Sequence, residues 1–311
     1  MSDKEMRTIY CETLMGLAKK DERIMVLEAD LMKASGTMPF KAAYPERGID
    51  VGVAEANMIG IAAGLSAAGK IPFAATFGCF ASRRVFDQFF ISANYAGLNV
   101  KLTGTDPGIT AAFNGGTHMP FEDIGMMRLI PGLSILEPSD PVSLEKLLEA
   151  CADHYGCTYM RLHRKPTPSI YEKDEKFFLG KGKLLKDGKD ITIIALGVVL
   201  VNEALKAAIK LEEEGLSAAV IDILSVKPLD RDLILSYASK TGHIVTAENH
   251  QVAGGLGSAV AELLSRERPT PMAMVGVQDE FGEVGTQDWL AERFKLTAVE
   301  IVNKAKTLIE K

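Results

Sequence analysis

Short apolar segments alternate along the chain with longer segments in which apolar residues recur at helical spacing. The short segments predict strands at 24–28, 50–54, 71–76, 99–103, 134–137, 158–162, 191–196, 218–223, 243–247 and 273–276. The longer segments predict helices at 4–20, 55–69, 83–96, 141–155, 200–214, 230–240, 256–266 and 297–310. This alternation is typical of α/β proteins, in which mostly parallel sheets are covered by helices on both faces.

The alternation is interrupted once, near the middle of the chain. Prolines, charged residues and glycines cluster between Lys165 and Gly182, and the apolar periodicity fades there. We therefore predict two domains, residues 1–165 and 191–311, joined by a linker over 166–190. Each domain is expected to contain its own sheet.

Composition narrows the class of protein. The 311 residues include 47% hydrophobic and 24% charged side chains, enough to build two ordinary cores. A net charge of −6 argues against nucleic acid or an anionic membrane as the main partner. The four cysteines form no paired motif, the N-terminus is polar, and no apolar run is long enough to span a bilayer. We expect a cytoplasmic protein.

A carboxylate stands where a predicted strand gives way to a predicted helix. Glu55 opens the helix after 50–54 and has apolar neighbours on both sides, so its carboxyl group is expected to be shielded from water. About twenty residues later, Phe77 and Phe80 follow the strand at 71–76. A shielded carboxylate beside stacking aromatic rings suits the binding of a flat, nitrogen-containing heterocycle. Core packing is the alternative role of the two phenylalanines.

An ordered series of short segments makes this interpretation more specific. The chain resembles the C-terminal half of transketolases, which contains the pyrimidine-binding and C-terminal domains. The matching segments are Ala54-Glu55-Ala56-Asn57-Met58, Thr76-Phe77 with Phe80, Phe86-Asp87-Gln88, Gly116-Thr117-His118, Glu122-Asp123, Pro138-Ser139-Asp140, Arg161-Leu162-His163-Arg164, Lys227-Pro228-Leu229-Asp230, and Glu248-Asn249-His250-Gln251 with the glycines after it. Each segment is short, but together they cover nearly the whole chain in order.

The resemblance implies a cofactor, thiamine diphosphate. In that case Glu55 would hydrogen-bond N1′ of the aminopyrimidine ring and so promote removal of the proton from C2 of the thiazolium. Phe80 would stack on the aminopyrimidine, with Phe77 beside it.

The resemblance also implies substrate contacts. Arg7, Ser35 and Arg164 fall where the family contacts a sugar phosphate, and an arginine fork matches phosphate oxygens well. His118 matches a histidine that meets the donor's oxygens and can move protons near neutral pH. Two positions depart from the usual transketolase pattern: Asp106 stands in place of a histidine, and Asn114 in place of an aspartate. Asp106 resembles the deoxyxylulose-phosphate synthase branch instead, which leaves the substrate open.

One part of a thiamine enzyme is missing from the sequence. Thiamine enzymes hold the diphosphate and Mg²⁺ (or Ca²⁺) with a Gly-Asp-Gly element, and no such element occurs here. We therefore expect no metal site in this chain and an obligate partner, the N-terminal-half subunit of a split transketolase, in a dimer of heterodimers. The predicted reaction transfers a two-carbon ketol unit from a ketose phosphate to an aldose phosphate.

Three alternatives remain open from the sequence. The beta subunit of a 2-oxoacid dehydrogenase has the same pair of domains. A condensation like that of deoxyxylulose-phosphate synthase is compatible with Asp106. A non-catalytic transketolase-like protein would have kept the fold without the chemistry.

Overall fold

Two sheets contain the strands of the protein in its computed structural model, which describes residues 4–310. The strands are β1 (Ile24–Glu28), β2 (Gly48–Asp50), β3 (Ile71–Phe77), β4 (Lys101–Thr105), β5 (Ser134–Leu136), β6 (Thr158–Leu162), β7 (Lys183–Lys186), β8 (Ile191–Ala195), β9 (Ala218–Asp222), β10 (Ser225–Lys227), β11 (Ile244–Gln251) and β12 (Met272–Val277). The outer limits of the two predicted domains, residues 1 and 311, lie outside the described residues.

Both sheets are mostly parallel, as predicted. The first has the order β10-β5-β6-β4-β3-β1-β2, and only β10 runs antiparallel to its neighbour. The second has the order β12-β11-β8-β9-β7, and only β7 is antiparallel. The predicted fold class, two α/β domains, is confirmed. The exact domain boundaries remain a prediction, and β7 lies inside the stretch predicted as linker.

Helices connect the strands. They are α1 (Met6–Lys20), α2 (Met32–Ser35), α3 (Met38–Ala43), α4 (Glu55–Ala67), α5 (Gly78–Arg83), α6 (Phe86–Gln88), α7 (Asp123–Arg128), α8 (Pro141–Asp153), α9 (Gly197–Glu213), α10 (Arg231–Thr241), α11 (Leu256–Glu267), α12 (Gln287–Arg293) and α13 (Ala298–Ile309), with a π-helical segment at Phe89–Tyr95 and 3₁₀ segments at Gly108–Asn114 and Gly116–His118. Every helix in residues 4–310 is too short or too polar to cross a lipid bilayer.

Strand β1 shows why both faces of the first sheet are covered. All five of its residues are buried, and successive side chains point to opposite faces. Ile24 and Val26 pack with residues of α1 and α8, whereas Met25 and Leu27 pack with residues of α4 and the π-helical segment. The hydrophobic cluster that contains Met25 and Leu27 also includes residues of the second domain, such as Ile194 and Val260. The two domains therefore share a core.

The structure differs from the predicted elements in several places, and the short helices α2, α3, α7 and α12 are among the elements that the sequence pattern did not predict. The strand predicted at 50–54 is β2, which ends at Asp50. The single helix predicted at 83–96 is divided into the end of α5, α6 and the π-helical segment. The short antiparallel strands β7 and β10 were not predicted, because neither has a run of apolar residues.

Candidate functional site

Glu55 is placed by the loop between β2 and α4. Asp50 ends β2 and accepts hydrogen bonds from the backbone N–H groups of Asp30 (2.8 Å) and Gly52 (3.0 Å), which fixes the start of this loop. Helix α4 then begins at Glu55, where the positive end of the helix dipole favours an acid. Glu55 is only 5% exposed, so the expected shielding of its carboxyl group is found.

An aromatic wall is formed by Phe77, Phe80 and His118. Phe77 ends β3 and Phe80 lies one turn into α5, which puts the two ring centroids 6.0 Å apart. The imidazole of His118 meets both rings edge-on, with centroid distances of 6.1 Å to Phe77 and 5.2 Å to Phe80. Such edge-to-face contacts are the arrangement that aromatic quadrupoles favour. The structure thus brings together residues that lie about forty positions apart.

The loop that carries His118 is fixed by close backbone contacts. Its neighbour Gly116 packs against Gly282 of the second domain, where an added Cβ would come within 2.1 Å of the Gly282 carbonyl oxygen. The Oγ1 of Thr117 lies 2.9 Å from Nδ1 of His118 and engages that ring nitrogen. Nε2 of His118 is therefore the nitrogen left to meet a ligand.

Arg84 links Glu55 to the aromatic wall. Its Nη1 donates a hydrogen bond of 2.7 Å to Oε1 of Glu55, and its guanidinium carbon lies 3.7 Å from the centroid of the Phe80 ring. The sequence pattern alone assigns Arg84 no role in binding. The available signal was its position four residues after Phe80, a spacing that puts two side chains on the same face of a helix.

Two arginines form a second group next to the wall, the arginine corner (Arg7, Arg164 and Asp106). Nη1 of Arg7 and Nη1 of Arg164 both donate to the carbonyl oxygen of Ala34, at 3.0 and 3.1 Å. Asp106 and Arg164 follow the carboxyl ends of the adjacent strands β4 and β6, where ligands bind in open α/β sheets. The guanidinium carbon of Arg164 lies 5.2 Å from the Phe77 ring centroid, so the corner adjoins the aromatic wall.

Asp106 occupies the fork of Arg164. Nε of Arg164 lies 2.7 Å from Oδ1 and Nη2 lies 2.6 Å from Oδ2 of this carboxylate. Burial raises the pKa of Asp106 above its ordinary value, and the nearby Arg164 opposes that rise. Arg7 is paired in a similar way, with Nε 2.6 Å from the carboxylate of Glu5. Much of the positive charge in the corner is therefore already balanced.

Ser35 is hydrogen-bonded within the chain, and its contact with a sugar phosphate stays a prediction. Its side chain is fully buried, and its hydroxyl donates to Oε2 of Glu28 at 3.2 Å, while Thr37 donates to Oε1 at 2.8 Å. The Ser35 hydroxyl thus orders the segment that presents the Ala34 carbonyl to both arginines. Asn114 is exposed, and within the described part of the chain its side chain makes no hydrogen bond to the other predicted residues.

The buried Glu28 should make stability depend on pH. Burial raises the pKa of Glu28 from 4.5 to about 8. Between these values the folded chain binds a proton that the unfolded chain has lost, so stability falls as pH rises. We expect Glu28→Gln to remove this pH dependence, which is on the order of 1 kcal/mol per pH unit between about pH 5 and 7. Thermal unfolding of wild type and variant at several pH values measures it.

The exposed Glu46 provides the control for this measurement. Glu46→Gln makes the same chemical change at an exposed position, so it controls for the substitution of glutamate by glutamine itself. If the unfolding temperatures of wild type and Glu28→Gln changed in parallel from pH 5 to 8, Glu28 would not be the group that makes stability depend on pH.

A large cleft lies beside the aromatic wall. It measures about 1340 Å³ and is lined by residues of both domains, among them Arg83, Thr117, Gln251 and Phe281. Its lining includes neither Glu55 nor Phe80, so the carboxylate and the ring face lie outside it. In residues 4–310, acidic, histidine and cysteine side chains form no cluster of three that could hold a metal ion.

Comparison with known families accounts for both domains. Residues 2–169 match the transketolase pyrimidine-binding domain, and residues 180–301 match the transketolase C-terminal domain. The chain is 52% identical over 306 residues to the 6-deoxy-6-sulfo-D-fructose transketolase subunit SqwH of Clostridium sp. (strain MSTE9), covering 98% of this chain and 95% of that protein. It is 35% identical to one of the subunits of the apulose-4-phosphate transketolase of Phocaeicola vulgatus, covering 96% and 97% of the two chains.

A solved structure has the same fold over its whole length. A split-gene transketolase, described as an inactive beta4 tetramer, matches with a TM-score of 0.92 and 43% identity over 99% of both chains. Because both family domains occur in order and these relatives share almost the full span, the chain belongs to the transketolase family and is a transketolase-type subunit, hence part of a transferase.

Proposed function

We propose that this chain is the C-terminal subunit of a thiamine diphosphate-dependent transketolase and binds the aminopyrimidine ring with Glu55, Phe77 and Phe80. The contact of Arg84 with Glu55 and Phe80 carries the proposal. A planar group that donates an N–H to this carboxylate and lies on this ring is already accommodated there. An aminopyrimidine with a proton on its ring nitrogen would meet the same two requirements.

Each residue then has a defined task. Glu55 would accept or share a proton at a ring nitrogen, and its burial keeps water from competing for that hydrogen bond. When bound, thiamine diphosphate supplies the nucleophile for the carbonyl group of a ketose donor. His118, held at Nδ1 by Thr117, would exchange protons with the donor's oxygens through Nε2. Asn114 remains a predicted contact of the same donor.

The arginine corner is proposed to receive the far end of the substrate, with Arg7 and Arg164 facing a terminal anion. We propose transfer of a two-carbon ketol unit between a ketose phosphate and an aldose phosphate. A sulfonated ketose is a second candidate donor, because Asp106 already balances Arg164 and a sulfonate carries one negative charge where phosphate carries about 1.5 to 2. The 52% identical relative is named for a sulfonated fructose.

The other half of the cofactor site is assigned to a partner chain. We propose that an N-terminal-half subunit holds the diphosphate and Mg²⁺ (or Ca²⁺), and that two copies of each chain assemble in the cytoplasm. Two lines of support are the subunit names of the relatives, which match this chain over nearly their full length, and the position of Glu55 and Phe80 outside the large cleft of this chain.

Reconstitution tests the proposal. The purified chain should show no ketol transfer with thiamine diphosphate and Mg²⁺, and adding the N-terminal-half subunit should restore transfer from fructose 6-phosphate or from 6-deoxy-6-sulfofructose. The ratio of kcat/KM for these two donors decides between phosphate and sulfonate. Full activity without any added subunit would refute the divided site, and no transfer from either donor in the assembled complex would refute the function.

A further inference from the structure

Arg84 stands where the proposed cofactor ring has to bind. The carboxylate oxygen Oε1 of Glu55 already accepts a 2.7 Å hydrogen bond from this side chain. The guanidinium plane also lies close over Phe80, with its carbon 3.7 Å from the ring centroid. An aminopyrimidine held as proposed needs the same carboxylate and a face of the same ring. Two planar groups cannot occupy this position together.

The Arg84 side chain is free to leave. It is 49% exposed, whereas the side chain of Glu55 is 7% exposed. Glu55 is its only hydrogen-bond partner among the described residues. Moving the guanidinium into solvent therefore breaks one ion pair and one cation–π contact, and leaves no other buried group within residues 4–310 without its partner. The cofactor ring would replace both contacts for Glu55 and Phe80.

The neighbouring Arg83 is held differently. Its Nε lies 2.5 Å from Oε1 of Glu122, and its Nη1 donates to the carbonyl oxygen of Thr117 at 3.3 Å. It contacts neither Glu55 nor Phe80, although its side chain is 42% exposed, close to the value for Arg84. The two consecutive arginines therefore form a matched pair, one inside the proposed ring position and one outside it.

We propose that Arg84 is a built-in competitor of the cofactor ring: it occupies the aminopyrimidine position on Glu55 and Phe80 until thiamine diphosphate displaces it. The inference rests on the proposed function of this site. It makes Arg84 a determinant of cofactor affinity. Without cofactor, the ion pair keeps the Glu55 carboxylate partnered and shields Phe80. With cofactor, part of the binding energy is used to displace the arginine.

The test measures cofactor binding instead of turnover. Isothermal titration calorimetry of the complex with the N-terminal-half subunit, in Mg²⁺, gives Kd for thiamine diphosphate. We expect Arg84→Ala and Arg84→Met to tighten binding about five- to tenfold, the effect of losing one partly exposed ion pair and one cation–π contact. Arg83→Ala is the control and should not tighten binding. Circular dichroism checks that each variant is folded.

A second variant separates failure of this inference from failure of the proposed function. Phe80→Ala should weaken binding, because it removes the stacking face. Loss of binding in Phe80→Ala together with unchanged or weaker binding in Arg84→Ala and Arg84→Met would overturn only the competitor role. Binding that is insensitive to Phe80→Ala, or absent in every protein tested, would overturn both.

Discussion

Replacing Glu55 with glutamine is expected to lower kcat of the assembled enzyme by about 10²- to 10⁴-fold, the range typical for loss of a positioned proton-transfer group. Glutamine has the same size, but its amide cannot carry the negative charge or share a proton with a ring nitrogen. The charge on Glu55 also holds Arg84, so the variant loses that ion pair as well. Ketol transfer, measured in complex with the N-terminal-half subunit, gives the size of the effect.

Fold and assembly should survive this change. Glu55 opens α4 at its first turn, where an uncharged residue of the same size weakens the helix only slightly. Glu262→Gln is the control, since Glu262 also pairs with an arginine, Arg128, at 2.7 Å but lies in the second domain. Turnover of Glu55→Gln within about threefold of wild type would rule out this carboxylate as the group that acts on the cofactor.

Replacing Arg161 with methionine is expected to produce the largest loss of stability, about 3–5 kcal/mol. Arg161 is fully buried on β6, and its guanidinium contacts Oδ2 of Asp123 at 2.9 Å, Oε2 of Glu137 at 2.6 Å and the Asn249 carbonyl oxygen at 2.9 Å. Without it, the buried carboxylates of Asp123 and Glu137 lose their cationic partner, and Tyr159 still donates one hydrogen bond to Asp123 at 2.7 Å. The unfolding temperature should fall by roughly 5–8 °C, which differential scanning calorimetry measures.

The pH dependence of Arg161→Met tests whether its loss of stability comes from the unpaired buried carboxylates. Burial already raises the pKa of Glu137, and Arg161 opposes that rise. In Arg161→Met the pKa should rise further, so the folded state takes up a proton and the stability deficit should be smaller at pH 5 than at pH 8. Arg231→Met, which breaks the exposed pair with Glu267, should change stability little. A deficit that is the same at both pH values would point to lost packing instead of unpaired charge.

The elements that the sequence predicts best are those buried on both faces. β1 and β6 lie at the predicted residues 24–28 and 158–162, because each is a short, mostly apolar segment between longer helical segments, and such segments form the buried parallel strands of an α/β fold. β2 was misplaced because the apolar residues Val51 and Val53 follow it in an irregular loop. The pattern reports apolarity, while the strand is defined by its hydrogen bonds to β1.

In the candidate site too, the sequence predicts residues that stand in local motifs, and it does not predict contacts between side chains of separate elements. Glu55, Phe77, Phe80 and His118 were singled out from local pattern and family resemblance, and the structure places the last three in mutual contact. Their chemical roles remain predictions. The pairing of Arg84 with Glu55 and the burial of Ser35 against Glu28 depend on side-chain directions across separate elements, which one sequence does not specify.

The edge strand β10 has a consequence for how the protein holds together. Ser225–Lys227 follows β9 of the second sheet, yet it hydrogen-bonds to β5 and completes the first sheet. After proteolytic cleavage between residues 166 and 180, the two fragments would therefore remain associated through the β5–β10 pairing. The first half expressed by itself would expose the open margin of β5, which invites aggregation. The two halves are therefore not expected to fold as independent domains, because a strand of the second half completes the sheet of the first.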